Sequence, residues 1–232
     1  MRVAYIVFTC QAYLGTRVVW QKATVFASGM DDVYYIGPHA DVSERLYHWG
    51  AEDDYKSLPY KMGDFFRASG LDYDWYFIMD DDTYLYRDRL ERRVQELEAS
   101  GVHPREVAYM EGCLLTHLAH TGWGVYHSGG AGTLISARVY DEIRRSFLAF
   151  RDVHHAPYWC PHWCADICLG QWTAPITGLR RVHSDRYHTD PAKAGDGVAE
   201  AITFHHLRRR EDYYAHQYLG MSAGDAESLL RL

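Results

Sequence analysis

No apolar run in the 232-residue chain approaches the roughly 20 residues that a membrane-crossing helix needs. The opening stretch, MRVAYIVFTC, is apolar over too few residues for a secretory leader and shows no cleavage pattern. If the chain is full length, it is expected to remain in the cytoplasm where it is made. A surplus of positive charge is also missing. Lys and Arg number 24 against 31 Asp and Glu, a net charge of −7, which argues against general nucleic-acid affinity through phosphate neutralisation. The one basic run, Arg208 to Arg210, is followed at once by Glu211 and Asp212 and reads as the solvated start of a helix. Cysteine is scarce and odd in number, five in all with three clustered late, which does not suggest a secreted disulfide scaffold. Repeats and low-complexity linkers are absent too, so one domain over residues 1–232 is the simplest expectation.

What the chain has in abundance is aromatic side chains, 15% of residues with 19 Tyr and 7 Trp. They suit either an aromatic-rich core or the lining of a site for polar organic ligands. RVAYIVFTC (Arg2 to Cys10) has the apolar, β-branched character of a buried strand. A helical pattern follows from about Leu14 to Ala27, ending near Ser28-Gly29, and DDVYYIG (Asp31 to Gly37) reads as a second strand. Another helix is expected after Pro59, stopping near Gly70, and WYFIM (Trp75 to Met79) is a third apolar strand. Alternating strands and helices predict an α/β fold with a mixed, mostly parallel central sheet flanked by helices. RDRLERRVQELEAS (Arg87 to Ser100) is an exposed amphipathic helix with Gly101 just past its end. Later, YHSGGAGTLISARVYDEI (Tyr126 to Ile143) reads as a glycine-rich turn, a short strand and a helix. AITFHHL (Ala201 to Leu207) is a late strand leading into a helix around REDYYAHQYL.

The third apolar strand runs directly into Asp80, Asp81 and Asp82. Adjacent carboxylates repel by roughly 1 kcal/mol per pair at about 4 Å even in water, and in parallel sheets ligands bind beyond the carboxyl ends of strands. A divalent cation removes that repulsion, and magnesium- or manganese-type sites combine one or two carboxylates with water and substrate phosphates. An acidic turn capping the next helix is the plainer alternative. FIMDDDT also resembles the strand-D-x-D-x-T pattern of haloacid-dehalogenase-like phosphatases, with Asp80 as nucleophile and Asp82 as general acid/base. Two strand-helix units precede it, however, and Lys193 lies too close to Asp196 for the later phosphatase motif.

Several features in order resemble the Fringe-like beta-1,3-glycosyltransferases, over most of the chain: YKMGDFF (Tyr60 to Phe66), WYFIMDDDTYLY (Trp75 to Tyr86), HSGGAGTLIS (His127 to Ser136), CADICLG (Cys164 to Gly170) and FHHL (Phe204 to Leu207). The resemblance implies a GT-A-type, Rossmann-like domain with a nucleotide-binding half at about 1–86 and an acceptor and catalytic half at about 87–232. It implies an inverting transferase that moves a sugar, a hexose or N-acetylhexosamine, from a UDP-sugar to a hydroxyl of a glycan or glycoconjugate. Manganese is the implied cofactor, with magnesium the alternative. Asp82 and His205 are its implied ligands, Asp80 beside them, and His206 stands as an alternative to His205. Asp80 and Asp81 contact the ribose or a metal-bound water in this reading. Thr9, Cys10, Arg17 and Lys61 lie near the nucleotide, and Gly129, Gly130, Ala131 and Gly132 form a loop whose backbone approaches the sugar.

Asp166 is the implied general base. The chain departs from the family where Ala165 replaces the preceding acid, which leaves open a non-catalytic module that binds nucleotide sugars without turnover. Cys160, Cys164 and Cys168, with His154, His155 and His162 nearby, allow either a structural zinc site or buried thiols. The chain lacks the anchor and stem of secretory members, so a soluble bacterial or viral-type enzyme is expected.

Overall fold

A computed structural model describes residues 1–48, 51–116, 124–148, 164–191 and 198–219. The strands in chain order are β1 (Val3–Phe8), β2 (Val33–Ile36), β3 (Leu46–Tyr47), β4 (Trp75–Asp80), β5 (Tyr84–Leu85), β6 (Tyr109–Gly112), β7 (Leu114–Leu115), β8 (Tyr126–His127), β9 (Thr133–Ser136), β10 (Arg180–His183), β11 (Tyr187–His188) and β12 (Thr203–Phe204). The helices are α1 (Arg17–Ala23), α2 (Leu58–Ala68), α3 (Arg87–Ala99), α4 (Ala137–Leu148), α5 (Ala165–Thr173) and α6 (Arg210–Leu219).

Seven strands form the central sheet in the order β10-β6-β9-β4-β1-β2-β3. All pairs are parallel except the two made by β9, which runs antiparallel to β4 and to β6. The chain builds β2 and β3 on one side of β1 and then returns to lay β4 on the other. Strand order therefore reverses between β1 and β4, and the crevice at their carboxyl ends is where such sheets bind ligands. Register sets Phe8 opposite Asp80 there.

Both faces of β1 and β4 are covered, which is why these strands read as unbroken apolar runs. Val3, Tyr5, Val7, Trp75, Phe77 and Met79 join one core with residues of α1, α3 and α6, while Ala4, Ile6, Phe8, Tyr76 and Ile78 join the other with α2, α4 and α5. Side chains alternate between these cores because strand periodicity is two. On α3, Leu90, Val94 and Leu97 recur at helical spacing and are buried. Gly70 and Gly101, each with positive φ, stand just past the caps of α2 and α3, where a left-handed residue stops a helix.

The helix expected from Leu14 to Ala27 is shorter and split. A 3-10 turn over Gln11–Tyr13 precedes α1, which covers only Arg17–Ala23. Phe26 N–H bonds back to the Gln21 carbonyl at 3.0 Å, five residues earlier, which ends the helix there, and Val25 and Phe26 are buried. The strand expected over Asp31 to Gly37 narrows to Val33–Ile36. Cys160, His154, His155, His162, Lys193 and Asp196 lie outside the described residues. Cys10 and Cys113 are free thiols.

A smaller sheet, β11-β12-β5, lies beyond the main one. Its antiparallel pairing of Phe204 with Tyr84 carries the late His205-His206 segment back to the acidic triplet. An ion pair ties α3 to the main sheet one strand in from its edge: Arg93 reaches the fully buried Glu111 of β6 through Nε at 3.0 Å and Nη2 at 2.8 Å. Tyr109 donates a further hydrogen bond to Glu111 at 2.5 Å. Removing one partner of such a pair leaves a charge stranded in low dielectric, at a cost of about 3–5 kcal/mol. Arg93→Ala is therefore expected to lower the unfolding free energy by about that amount in urea titration; an unchanged midpoint would contradict this role for the pair.

Candidate active site

The three carboxylates of the triplet have separate surroundings. Asp81 turns inward and is 4% exposed. Thr9 Oγ1 donates to its Oδ2 at 2.7 Å and Arg17 Nη1 to its Oδ1 at 3.0 Å. Burial still pushes Asp81 up to about 6 against the pull of Thr9 and Arg17. Asp82 faces His205, with Nε2 at 3.0 Å from Oδ1, and Arg17 Nη1 stands 3.6 Å from its other oxygen. Burial acts against ionisation of Asp82, yet His205 and Arg17 hold it below the ordinary carboxylate value. Burial also disfavours charge on His205, but Asp82 outweighs it and raises the imidazole above its usual value. Asp80 is pushed up to about 7, first by burial and then by the charge of Asp82.

The turn is gripped by its backbone as well. Gln21 Nε2 donates to the Asp80 carbonyl at 3.2 Å and to the Thr83 carbonyl at 2.8 Å. The Tyr213 hydroxyl bonds to the Asp81 carbonyl, and Leu207 N–H bonds to that of Asp82 at 3.0 Å. Elements far apart in sequence thus fix each carbonyl of the triplet, leaving its side chains little freedom to escape their mutual repulsion.

A cavity of about 420 Å³ opens over this end of β1 and β4, within the usual range for small-molecule sites. Thr9, Cys10, Arg17, Lys61, Asp80, Asp81, Asp82, His205 and His206, all singled out in the sequence, line it. Lys61 is nearly buried, and its ammonium holds the Thr9 carbonyl at 3.1 Å and Asp53 at 2.5 Å. Phe8, Tyr13, Asp53, Asp54, Tyr55, Leu58 and Arg208 complete the lining and were not anticipated as site residues. Asp54 carried a signal that pointed elsewhere: it caps the turn before α2 by accepting from Ser57 N–H at 2.7 Å. Arg208, read as a solvated helix start, faces the cavity.

The glycine loop is set beside the triplet. Thr83 Oγ1 donates to the Gly130 carbonyl at 2.6 Å, and Thr203 Oγ1 to the Ala131 carbonyl at 2.5 Å. A Cβ on Gly130 would fall 2.0 Å from the His205 ring, and one on Gly132, with φ +87°, would fall 2.3 Å from Phe77. Glycine is demanded at both places by contact and, at Gly132, by conformation. Gly129 N–H reaches Asp166 Oδ2 at 3.4 Å, and Ile167 N–H donates to Oδ1 at 2.8 Å. Asp166 sits in the first turn of α5. Burial raises its pKa although these backbone donors favour the carboxylate.

Asp82, His205 and His206 each offer one ligand atom, and these atoms lie within 4.8 Å of one another. These oxygen and imidazole donors could hold a divalent ion. The 3.0 Å between Asp82 and His205 is also about the separation of two donors at right angles on an ion with bonds near 2.1 Å.

The chain matches no family model and no curated protein sequence. Among solved structures it is similar to a glycosyltransferase involved in glycosylation of the major capsid of PBCV-1, with a TM-score of 0.55 at 13% identity over 94% of this chain and 99% of that one. Glycosyltransferase GlyE of Streptococcus pneumoniae TIGR4 gives 0.47 at 10% identity, over 99% of this chain and 63% of that one. The bifunctional glycosyltransferase WbbM gives 0.46 at 9% identity, over 99% of this chain and 51% of that one. The first of these likenesses shows that the mixed α/β sheet with its flanking helices is a glycosyltransferase fold.

Proposed function

We propose that the protein is a metal-dependent, inverting glycosyltransferase that uses a UDP-sugar and a hydroxyl acceptor on a glycan or glycoconjugate. The observation that carries this reading is the Asp82–His205 pair at the strand-order reversal of a glycosyltransferase fold, facing a cavity of about 420 Å³. Asp82 and His205 would hold the ion, with Asp80 beside them, and manganese suits the imidazole better than magnesium does. A bound divalent ion supplies positive charge for the diphosphate as it departs.

The chain's own residues do the rest. Arg17 and Thr9 occupy the Asp81 carboxylate, which leaves Asp82 and Asp80 as the acids of the triplet available to the ligand. The glycine loop brings backbone close to the sugar and orients Asp166 through Gly129 N–H. Asp166 takes the acceptor proton while the acceptor oxygen forms its bond to the anomeric carbon. The bond from that carbon to the diphosphate oxygen breaks on the opposite side, which inverts the centre. A raised pKa makes Asp166 a stronger base than an ordinary carboxylate.

Residues about 1–86 form the nucleotide-binding half in this reading and residues about 87–232 the acceptor half. A phosphatase at Asp80 and a binding module without turnover are the rival outcomes, and the same assays separate them.

Turnover of UDP-sugars is expected with manganese, and Asp166→Asn is expected to lower kcat by about 10²–10⁴-fold while UDP still binds. Metal-dependent binding without turnover in the wild type would identify a binding module, and phosphate release from simple esters that requires Asp80 would identify a phosphatase. Since the base must be ionised, activity should fall on acidification, with its acid limb above the ordinary Asp value of about 3.9. Gly130→Ala is expected to displace His205 and weaken manganese-dependent UDP binding in calorimetry; wild-type affinity in this variant would show that the loop does not set the imidazole.

A further inference from the structure

His205 and His206 follow strand β12, and successive side chains on extended backbone point to opposite sides. These two do not. His206 has φ +62°, a left-handed conformation that only His206 and Arg45 adopt among the described non-glycine residues. The turn this produces brings the two imidazole rings side by side, with centroids 3.8 Å apart and planes tilted by 31°. A non-glycine residue is disfavoured in this region and persists where its surroundings impose it. Here the next residue does so: Leu207 is fully buried, and its N–H is bonded to the Asp82 carbonyl at 3.0 Å. The hydrogen bond that ties Leu207 to the Asp82 carbonyl therefore also holds His206 beside Asp82.

The consequence is chemical. Asp82, His205 and His206 converge, each with a ligand atom within 4.8 Å of the others, and both histidines line the cavity. The His205 ring is already oriented by three contacts: the Asp82 carboxylate, a hydrogen bond to the Thr189 backbone and the close packing of Gly130. Such outer contacts fix a ligating imidazole. His206 is the more exposed of the two and stands on the open side.

Resting on the metal-dependent reading above, we propose that His206 is a third protein ligand of the divalent ion. It completes an Asp82–His205–His206 set that selects manganese-like ions over magnesium and calcium. One carboxylate with two imidazoles is a donor set for borderline first-row ions, whereas magnesium and calcium prefer oxygen throughout. All three residues line the cavity, so an ion they held would be within reach of a nucleoside diphosphate bound there.

The test measures metal affinity rather than activity. Binding of Mn²⁺ and of Mg²⁺ is measured with UDP present, by electron paramagnetic resonance of free Mn²⁺ and by calorimetry. The proteins are the wild type, His206→Asn and His206→Ala. Asparagine accepts the left-handed conformation readily, so the turn is retained while the imidazole is lost. The expected result is at least a tenfold preference for Mn²⁺ in the wild type and a loss of about tenfold or more in Mn²⁺ affinity in both variants, with Mg²⁺ affinity changed far less. The visible spectrum of bound Co²⁺ should also change in His206→Asn, since one nitrogen donor is replaced. Wild-type Mn²⁺ affinity and an unchanged Co²⁺ spectrum in the variants would overturn the third ligand alone. Failure of the wild type to bind either ion in the presence of UDP would overturn the metal-dependent reading and this inference with it.

Discussion

Three consecutive carboxylates at the end of a buried strand have to be made unequal, and much of the molecule serves that requirement. At an effective dielectric of about 20, like charges at 4 Å cost roughly 4 kcal/mol per pair, so three equivalent anions would unfold the turn or hold protons. The protein divides them instead. Asp81 is held from inside by Thr9 and Arg17, Asp82 is paired with His205, and burial leaves Asp80 with a raised pKa. What remains is one strong anion and one latent one facing a cavity, an arrangement suited to a divalent ion.

That division depends on chain segments remote from each other. Arg17 comes from α1, Thr9 from the end of β1, His205 from the segment after β12 and Tyr213 from α6. The strand-order reversal between β1 and β4 brings the first two to the triplet, and the pairing of Phe204 with Tyr84 brings the last two. The glycine loop connects this centre to Asp166: Thr83 holds it on one side, and Gly129 meets the carboxylate on the other. A shift in any of these ties would be felt at both the acidic triplet and the proposed base, because the glycine loop joins the two.

Much of the frame was legible in the sequence where apolar pattern and end signals agree. β1 and β4 are long enough, and buried on both faces, to stand out as apolar runs, and α3 shows its helical period with Gly101 at its end. The short strands were not legible. β3 has two residues, and β10 is Arg-Arg-Val-His with no buried face to impose alternation. β6 carries Glu111 in the core, and only the structure supplies the Arg93 that makes a buried acid tolerable there. At the site, the acidic triplet pointed to an ion and the family resemblance pointed to the late histidines, but the inward turn of Asp81 and the restraint of Lys61 by Asp53 arise from tertiary contacts that no local pattern records. Gln21, which clamps the triplet's backbone, gave no sign of it in an otherwise ordinary helix.

The most direct test of this account is a crystal structure of the protein grown with MnCl₂ and UDP, with anomalous data collected at the manganese edge. The account predicts a single strong anomalous peak within bonding distance of Asp82 and His205, with the diphosphate on its cavity side and Asp81 still turned toward Thr9 and Arg17. A nucleotide bound elsewhere, or an ion held by Asp80 and Asp81 without the histidine, would contradict it.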